Sequence, residues 1–92
     1  MNLYRISQTE NLGWDTYDSA IVAAADEEQA RCSSPDGSVW VNEMQWWGDL
    51  DGIESNCKWT WCASIKHVKV ELIGQAKDGT EPGVILASFN AG

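Results

Sequence analysis

Three cysteines and one histidine are the side chains of this sequence best suited to covalent catalysis or transition-metal binding. Cys32, Cys57, Cys62 and His67 together have the ligand types of a zinc site with three thiolates and one imidazole. Cys57 and Cys62 are separated by four residues, two of them tryptophans, and on a strand they would point to opposite faces. A cysteine nucleophile also needs a base within hydrogen-bonding distance, and no motif singles out such a pair. We therefore predict buried free thiols, a solvent-facing His67 on a strand, and no bound metal.

Two other kinds of site do not fit the spacing of the charged and small residues. Asp49, Asp51 and Glu54 lie around Gly52, but an EF-hand calcium loop needs about five spaced oxygen ligands and flanking helices. A solvated acidic turn accounts for these carboxylates. The sequence also has no glycine-rich loop suited to a phosphate and no marked pair of carboxylates for acid–base catalysis. We therefore predict a protein that is not an enzyme and binds no cofactor.

The most informative segment is rich in tryptophan and in acids. Residues 39–61 contain five of the six tryptophans, and between Arg31 and Lys58 the chain has five acids and no base. A small sheet cannot easily bury five indoles of about 150–250 Å² each, and exposed aromatic side chains often anchor interfaces. We predict a partner-binding surface formed by Trp40, Glu43, Trp46, Trp47, Asp49, Asp51, Glu54, Trp59 and Trp61. Two alternatives remain: a pocket that stacks a flat, nucleotide-like ligand, and an oversized core or a seam between two copies.

Charge limits the classes of partner. The chain has 14 acidic and 6 basic residues, for a formal charge of −8. The bases are scattered, so direct binding to nucleic acid is not expected, because it requires cations to displace the counterions of the phosphates. The charge favours a partner protein with a basic surface, or it simply keeps a concentrated protein in solution.

Length and apolar pattern predict a single domain, residues 1–92, since 92 residues supply one hydrophobic core. The longest apolar run, residues 20–25, is too short to span a bilayer. The N-terminus lacks the basic and apolar segments of a signal peptide. Three cysteines, an odd number, fit a reducing compartment. We expect a cytoplasmic protein that does not enter a membrane.

The N-terminal half predicts a hairpin followed by a short helix. Residues 3–7 and 17–24 have the pattern of strands, and the polar residues 9–16 connect them as an antiparallel hairpin. Asp26 can cap a helix, with Gln29 reaching back as in a capping box. Pro35 and the Asp36-Gly37 pair end that helix after about two turns.

The C-terminal half predicts further strands. A third strand begins at residue 39 and runs towards Met44, residues 48–52 form a loop, and residues 57–62 alternate as a strand or an extended rim. Residues 67–73 and 84–89 alternate as strands of a second antiparallel hairpin. The predicted fold is α+β, an antiparallel sheet of four or five strands with one short helix packed on a face. Deleting residues 84–92 should unfold it.

Both ends of the chain resemble a group of small uncharacterised proteins of tailed phages and prophages. The N-terminal likeness lies in Leu3-Tyr4-Arg5-Ile6-Ser7-Gln8-Thr9 and in Tyr17-Asp18-Ser19-Ala20-Ile21-Val22-Ala23-Ala24, followed by Glu27, Glu28, Ala30 and Arg31. The C-terminal likeness lies in Val68-Lys69-Val70-Glu71-Leu72-Ile73-Gly74 and in Gly83-Val84-Ile85-Leu86-Ala87-Ser88-Phe89-Asn90-Ala91-Gly92. The tryptophan-rich middle is not part of the likeness, and Ser34-Pro35 replaces a histidine-proline pair that the group has at the helix end.

The resemblance implies a phage origin and carries no established activity. Small acidic phage proteins without catalytic groups are often inhibitors of a host factor. We therefore expect a non-enzymatic inhibitor of a host protein, an anti-CRISPR-like or other anti-defence protein, with Trp46 and Trp47 as its anchors. Replacing both with alanine should abolish inhibition and leave the fold intact. The alternatives are a sponge for a nucleotide-like immune signal, with Arg5, Arg31 or a lysine at its phosphate, and a minor virion component.

Overall fold

The computed structural model describes residues 1–49 and 51–90 and has the predicted α+β architecture. Within these residues, two helices, six strands and a 3₁₀ turn at Ile65–His67 follow one another. In chain order the strands and helices are β1 (Asn2–Ser7), β2 (Thr16–Ala24), α1 (Glu27–Arg31), β3 (Val39–Val41), β4 (Trp46–Gly48), α2 (Cys57–Thr60), β5 (Lys69–Gln75) and β6 (Gly83–Asn90). None of the helices formed by the described residues is long and apolar enough to cross a membrane.

The main sheet has four antiparallel strands in the order β5-β1-β2-β6. β1 and β2 form the predicted hairpin, with Arg5 opposite Ile21. The predicted second hairpin is wrong, because β5 pairs with β1 and β6 pairs with β2 at the opposite edge. The connection, residues 76–82, can reach between the edges: three strand spacings are about 14 Å, and seven extended residues span about 23 Å.

Local interactions start α1 as the sequence predicts. The Asp26 carboxylate accepts a hydrogen bond from the Gln29 backbone N–H at 2.8 Å. The Gln29 side chain accepts in turn from the backbone N–H of Ala25 at 2.5 Å. Arg31 in the last turn pairs with Glu27 at 2.7 Å. These contacts lie within one or two turns of chain, which is why the sequence alone reveals them.

The core lies on one face of the main sheet, beneath α1, α2 and the small β3–β4 sheet. Its buried apolar residues are Tyr4, Ile6, Ala20, Val22, Ala24, Ala30, Trp40, Trp47, Cys57, Trp61, Cys62 and Val68. Arg5 and Glu71 are cross-strand partners on the other face and are exposed. The smallest dimension of the Cα trace is 18 Å, as expected for one sheet covered by a single layer, because packed layers lie about 10 Å apart.

The segment at residues 57–62 differs from the prediction of a strand or extended rim. It begins with the helical turn α2, in which the Trp61 N–H donates to the Cys57 carbonyl at 2.7 Å. Positions four apart share one side of a helix, so Cys57 and Trp61 are both buried while Trp59 faces outward. Over so short a segment, the alternation in the sequence fits either a strand or a helix. The contacts that residues 57–60 make with β2 and β4 favour the helix.

Two predicted strands are shorter than expected. β3 ends at Val41, and Met44 lies in the turn that leads to β4. The predicted strand at residues 67–73 begins only at Lys69, because His67 ends a 3₁₀ turn that Ser64 caps through a hydrogen bond from the Lys66 N–H at 3.4 Å. The predicted loop at residues 48–52 starts one residue later than expected, because Gly48 is the last residue of β4, and residue 50 lies outside the described residues.

Candidate functional site

Three of the five tryptophans predicted to bind a partner lie in the core. Trp40, Trp47 and Trp61 are 8%, 2% and 0% exposed. Trp40 and Trp47 pack edge to face with ring centroids 5.3 Å apart, and the Trp47 Nε1–H donates to the Cys62 carbonyl at 2.8 Å. This corrects the predicted surface, because these three indoles are already covered by the main sheet and α2. For these three tryptophans, the alternative of a tryptophan-rich core is correct.

The other predicted residues lie on a lobe made by β3, β4 and the loop after β4. Val41 pairs with Trp46 at the end of this small hairpin, and Glu43 and Met44 are exposed in its turn. Trp46 is half-buried, and its Nε1–H donates to the Gly52 carbonyl at 3.0 Å. The indole thus fastens the loop at residues 49–54 to the hairpin, and Glu43 lies in the turn next to it.

Asp49 organises that loop. Its carboxylate accepts hydrogen bonds from the backbone N–H groups of Asp51 at 2.9 Å and Ile53 at 3.0 Å. Gly48 allows the loop to fold back close to β4, since a Cβ at that position would lie 3.0 Å from the Ile53 carbonyl oxygen. The Asp51 side chain and 64% of Ile53 face solvent as a result.

Lys58 connects this acidic lobe to an exposed indole on α2. Its Nζ lies 3.4 Å from the Glu54 carboxylate and 5.5 Å from the centre of the Trp59 ring. Trp59 is 69% exposed. The cation therefore bridges Glu54 and Trp59, and it places the exposed indole next to the acidic loop.

Trp14, outside the tryptophan-rich segment, lies in a connection that is anchored on α2, and the prediction missed it. The Asn11 side chain donates to the carbonyls of Trp59 at 3.1 Å and Trp61 at 3.0 Å, which anchors the β1–β2 connection on α2. Leu12 and Trp14 follow directly and are 57% and 75% exposed. One feature of the sequence does indicate this exposure. Both residues lie in a polar connection with Gly13, where no strand or helix pattern predicts burial.

We group these residues as one surface, the acidic–aromatic surface, because Asn11, Lys58 and the Trp46 indole link the segments that carry them. Its carboxylates are Glu43, Asp49, Asp51 and Glu54, and the cation on it is Lys58. Its apolar side chains, each half-buried or exposed, are Leu12, Trp14, Met44, Trp46, Ile53 and Trp59. The surface thus combines an excess of negative charge with several large apolar groups.

The thiols are unsuited to nucleophilic chemistry near neutral pH. Burial raises the pKa of Cys57 and of Cys62 from an ordinary 9.0 to about 12, and burial followed by the nearby Glu28 carboxylate raises the pKa of Cys32. Because the thiolate is the reactive form, all three are held as thiols.

His67 is exposed and pairs with Glu10 at 2.9 Å. Within residues 1–49 and 51–90, no group of three or more metal-binding side chains is brought together.

The raised thiol pKa values predict alkaline sensitivity. Between pH 9 and 12 the unfolded chain releases thiol protons that the folded chain keeps, so the free energy of unfolding falls as pH rises through this window. Well below pH 9 both states keep these thiols protonated and the contribution is constant. Urea titrations at pH 8, 9, 10 and 11 test this, with Cys57→Ala/Cys62→Ala as the matched variant. An equal pH dependence in both proteins would contradict the role of the two thiols.

A cavity of about 360 Å³ lies between α1, the segment after it and the start of β6. Its lining includes Cys32, Val39, Pro82 and Val84, together with serines and glycines, and contains no tryptophan and no cation. Arg31 is held elsewhere, by Glu27 and by the Val68 carbonyl at 2.7 Å. This cavity thus lacks the stacking rings and the phosphate partner that a nucleotide sponge requires, and the sponge stays a prediction.

Comparisons with protein-family models, with curated proteins and with solved structures found no match for this chain.

Proposed function

We propose that this protein is a non-enzymatic binding protein whose acidic–aromatic surface contacts a basic surface of another protein. The observation that carries the proposal is the exposure of Trp14 and Trp59, at 75% and 69%, beside four carboxylates and one lysine. Large exposed apolar groups are costly in water, and aromatic side chains are enriched among the residues that dominate binding energy. Such a surface is suited to burial by a partner.

The apolar part of the surface would supply affinity. Each exposed indole has roughly 100–170 Å² available for burial, which corresponds to about 3 kcal/mol per ring. The backbone of Trp59 is anchored by Asn11, through the Trp59 carbonyl, and its ring is neighboured by Lys58 Nζ, 5.5 Å from the ring centre. A ring with restricted motion loses less entropy on binding than a mobile one.

The acidic part would supply orientation and a fast association rate. Glu43 and Asp51 are exposed, and the whole chain carries a charge of −8. Complementary charge steers encounters and is weakened by salt. A partner groove that binds nucleic acid has the required basic character, so occupying it would exclude the nucleic acid.

The identity of the partner class rests on the resemblance to small phage proteins. In that context the partner is a host protein with a basic surface, such as a defence nuclease of the CRISPR type, and the protein acts as its inhibitor in the host cytoplasm. The sponge hypothesis has less support, since the cavity described above has neither aromatic rings nor a cation.

The test compares wild type with Trp14→Ala/Trp59→Ala as tagged bait in a bacterial lysate, followed by calorimetry with the captured protein. Leu72→Ala/Glu81→Gln is the matched control, because Leu72 is 63% exposed and both residues lie outside the acidic–aromatic surface. We expect the double tryptophan variant to bind at least tenfold more weakly, the control to bind like wild type, and affinity to fall between about 50 and 300 mM salt.

Equal binding by the double tryptophan variant would overturn the assignment of this surface. Salt-independent binding would overturn the electrostatic part of it. Native mass spectrometry of the same lysate sample separates the alternatives: an added mass of a protein supports the proposal, while an added mass of a nucleotide supports the sponge.

A further inference from the structure

β6 is an edge strand with an open side. Among the described residues it pairs with β2 and with no other strand, so its outer backbone N–H and C=O groups face away from the sheet. It is eight residues long, and the stretch from Leu86 to Ser88 pairs with β2 in regular register. Such an edge is a template for another strand.

The two edges of the main sheet differ in how they are protected. β5, at the opposite edge, carries Lys69 and Glu71, and charges of this kind discourage strand addition. β6 carries no charged residue and no proline. Its register with β2 has two irregularities: one between Ile21 and Val22 of β2, which leaves Ile85 without a partner near the start of β6, and one between Tyr17 and Ser19 of β2, where the extra residue belongs to β2. The rest of β6 is therefore open to pairing.

The side chains on β6 are unusually exposed for their type. Val84, Ile85, Leu86 and Phe89 are 37%, 54%, 67% and 47% exposed. Leu86 lies opposite Ile21 of β2, on the face of the sheet away from the core. Val84 and Phe89 lie opposite Val22 and Tyr17, on the other face. Exposed apolar side chains thus lie on both faces of β6, and we call them together the strip along β6.

The lack of charged residues on β6 permits a second copy of this chain as the occupant. Each copy has a formal charge of −8, so two copies repel one another at most orientations. The strip along β6 contributes none of that charge, and two such strips can meet without placing like charges face to face. An antiparallel pair of identical strands is also self-complementary, because a two-fold axis gives every donor of one copy an acceptor of the other.

We propose that two copies pair through β6, antiparallel and about a two-fold axis, to form a continuous eight-stranded sheet. The proposal uses residues outside the acidic–aromatic surface and does not depend on the proposed function. The exposed parts of the β6 side chains amount to roughly 400 Å² per copy, about half of what a standard interface buries on each side. The dimer is therefore expected to dissociate in the micromolar range and to form reversibly.

Sedimentation velocity of the full chain from 5 to 500 μM tests this. We expect a monomer at the low end and a dimer at the high end for wild type. Leu86→Lys should remain monomeric throughout, because it places a charge beside its symmetry mate. Leu72→Lys is the matched control: Leu72 is 63% exposed on β5, the substitution changes net charge equally, and dimerisation should persist.

Hydrogen exchange provides a second measurement that needs no variant. Backbone amides of β6 should become more protected as concentration rises, whereas those of β5 should not change. A wild-type protein that stays monomeric at 500 μM, or a dimer that Leu72→Lys disrupts and Leu86→Lys does not, would overturn the proposal. Circular dichroism shows whether each variant keeps the wild-type fold, so that loss of the dimer is not confused with unfolding.

Discussion

Replacing Trp47 with alanine is expected to lower the free energy of unfolding by about 3–5 kcal/mol, the usual cost of truncating a buried aromatic side chain. The indole is 2% exposed, packs edge to face on Trp40 and donates its Nε1–H to the Cys62 carbonyl at 2.8 Å. Its removal leaves a cavity and also an unpaired buried carbonyl. The loss is a large share of the stability of a small domain.

Urea unfolding followed by circular dichroism measures this effect, and Trp59→Ala is its control. Trp59 is 69% exposed, so the same chemical change there should cost less than about 1 kcal/mol. Similar losses for the two variants would mean that the burial assigned to Trp47 is wrong. The comparison also shows why the double alanine variant of Trp46 and Trp47 cannot test binding, because loss of the fold would remove binding as well.

Deleting residues 84–92 is expected to abolish cooperative unfolding altogether. β6 pairs with β2 over most of its length, from Thr16 to Ala23, and Tyr17 packs on Phe89 with ring centroids 4.8 Å apart. Removing one of four strands exposes β2, the strand that also carries Val22 of the core. Since stability is a small difference between large terms, loss of this strand exceeds what the remaining contacts can offset.

Thermal unfolding of the truncated chain, with and without a synthetic peptide of residues 83–90, tests this prediction. We expect no transition for the truncated chain alone and partial recovery when the peptide adds back the missing strand. A cooperative transition in the truncated chain without the peptide would contradict the role of β6. Residues 91–92 lie outside the described residues, and the peptide therefore omits them.

Local features of the chain were predictable because their causes are local. The cap of α1 depends on Asp26 and Gln29, three residues apart, and the first hairpin depends on two alternating segments joined by a short polar connection. The acidity of residues 39–58 is a property of composition. Each of these could be read from the sequence without knowledge of the rest of the fold.

The order of the strands depended on the whole chain. β5 and β6 follow one another in sequence and were expected to pair, yet each pairs instead with a strand of the first hairpin. Both β1 and β2 present an unpaired side once their hairpin has formed. Adding one strand to each side extends the same sheet while keeping the apolar faces of all strands on one core.

Amino-acid sequence by itself determined that this protein has an excess of acids, several tryptophans and a small α+β fold. Only the tertiary structure decided which tryptophans serve as core and which as surface. Residue type does not distinguish Trp47 from Trp59, since both have the same side chain and both lie in acidic segments. Their indoles are 2% and 69% exposed. The difference depends on whether other parts of the fold cover the indole, and this coverage is set by contacts between residues distant in the chain.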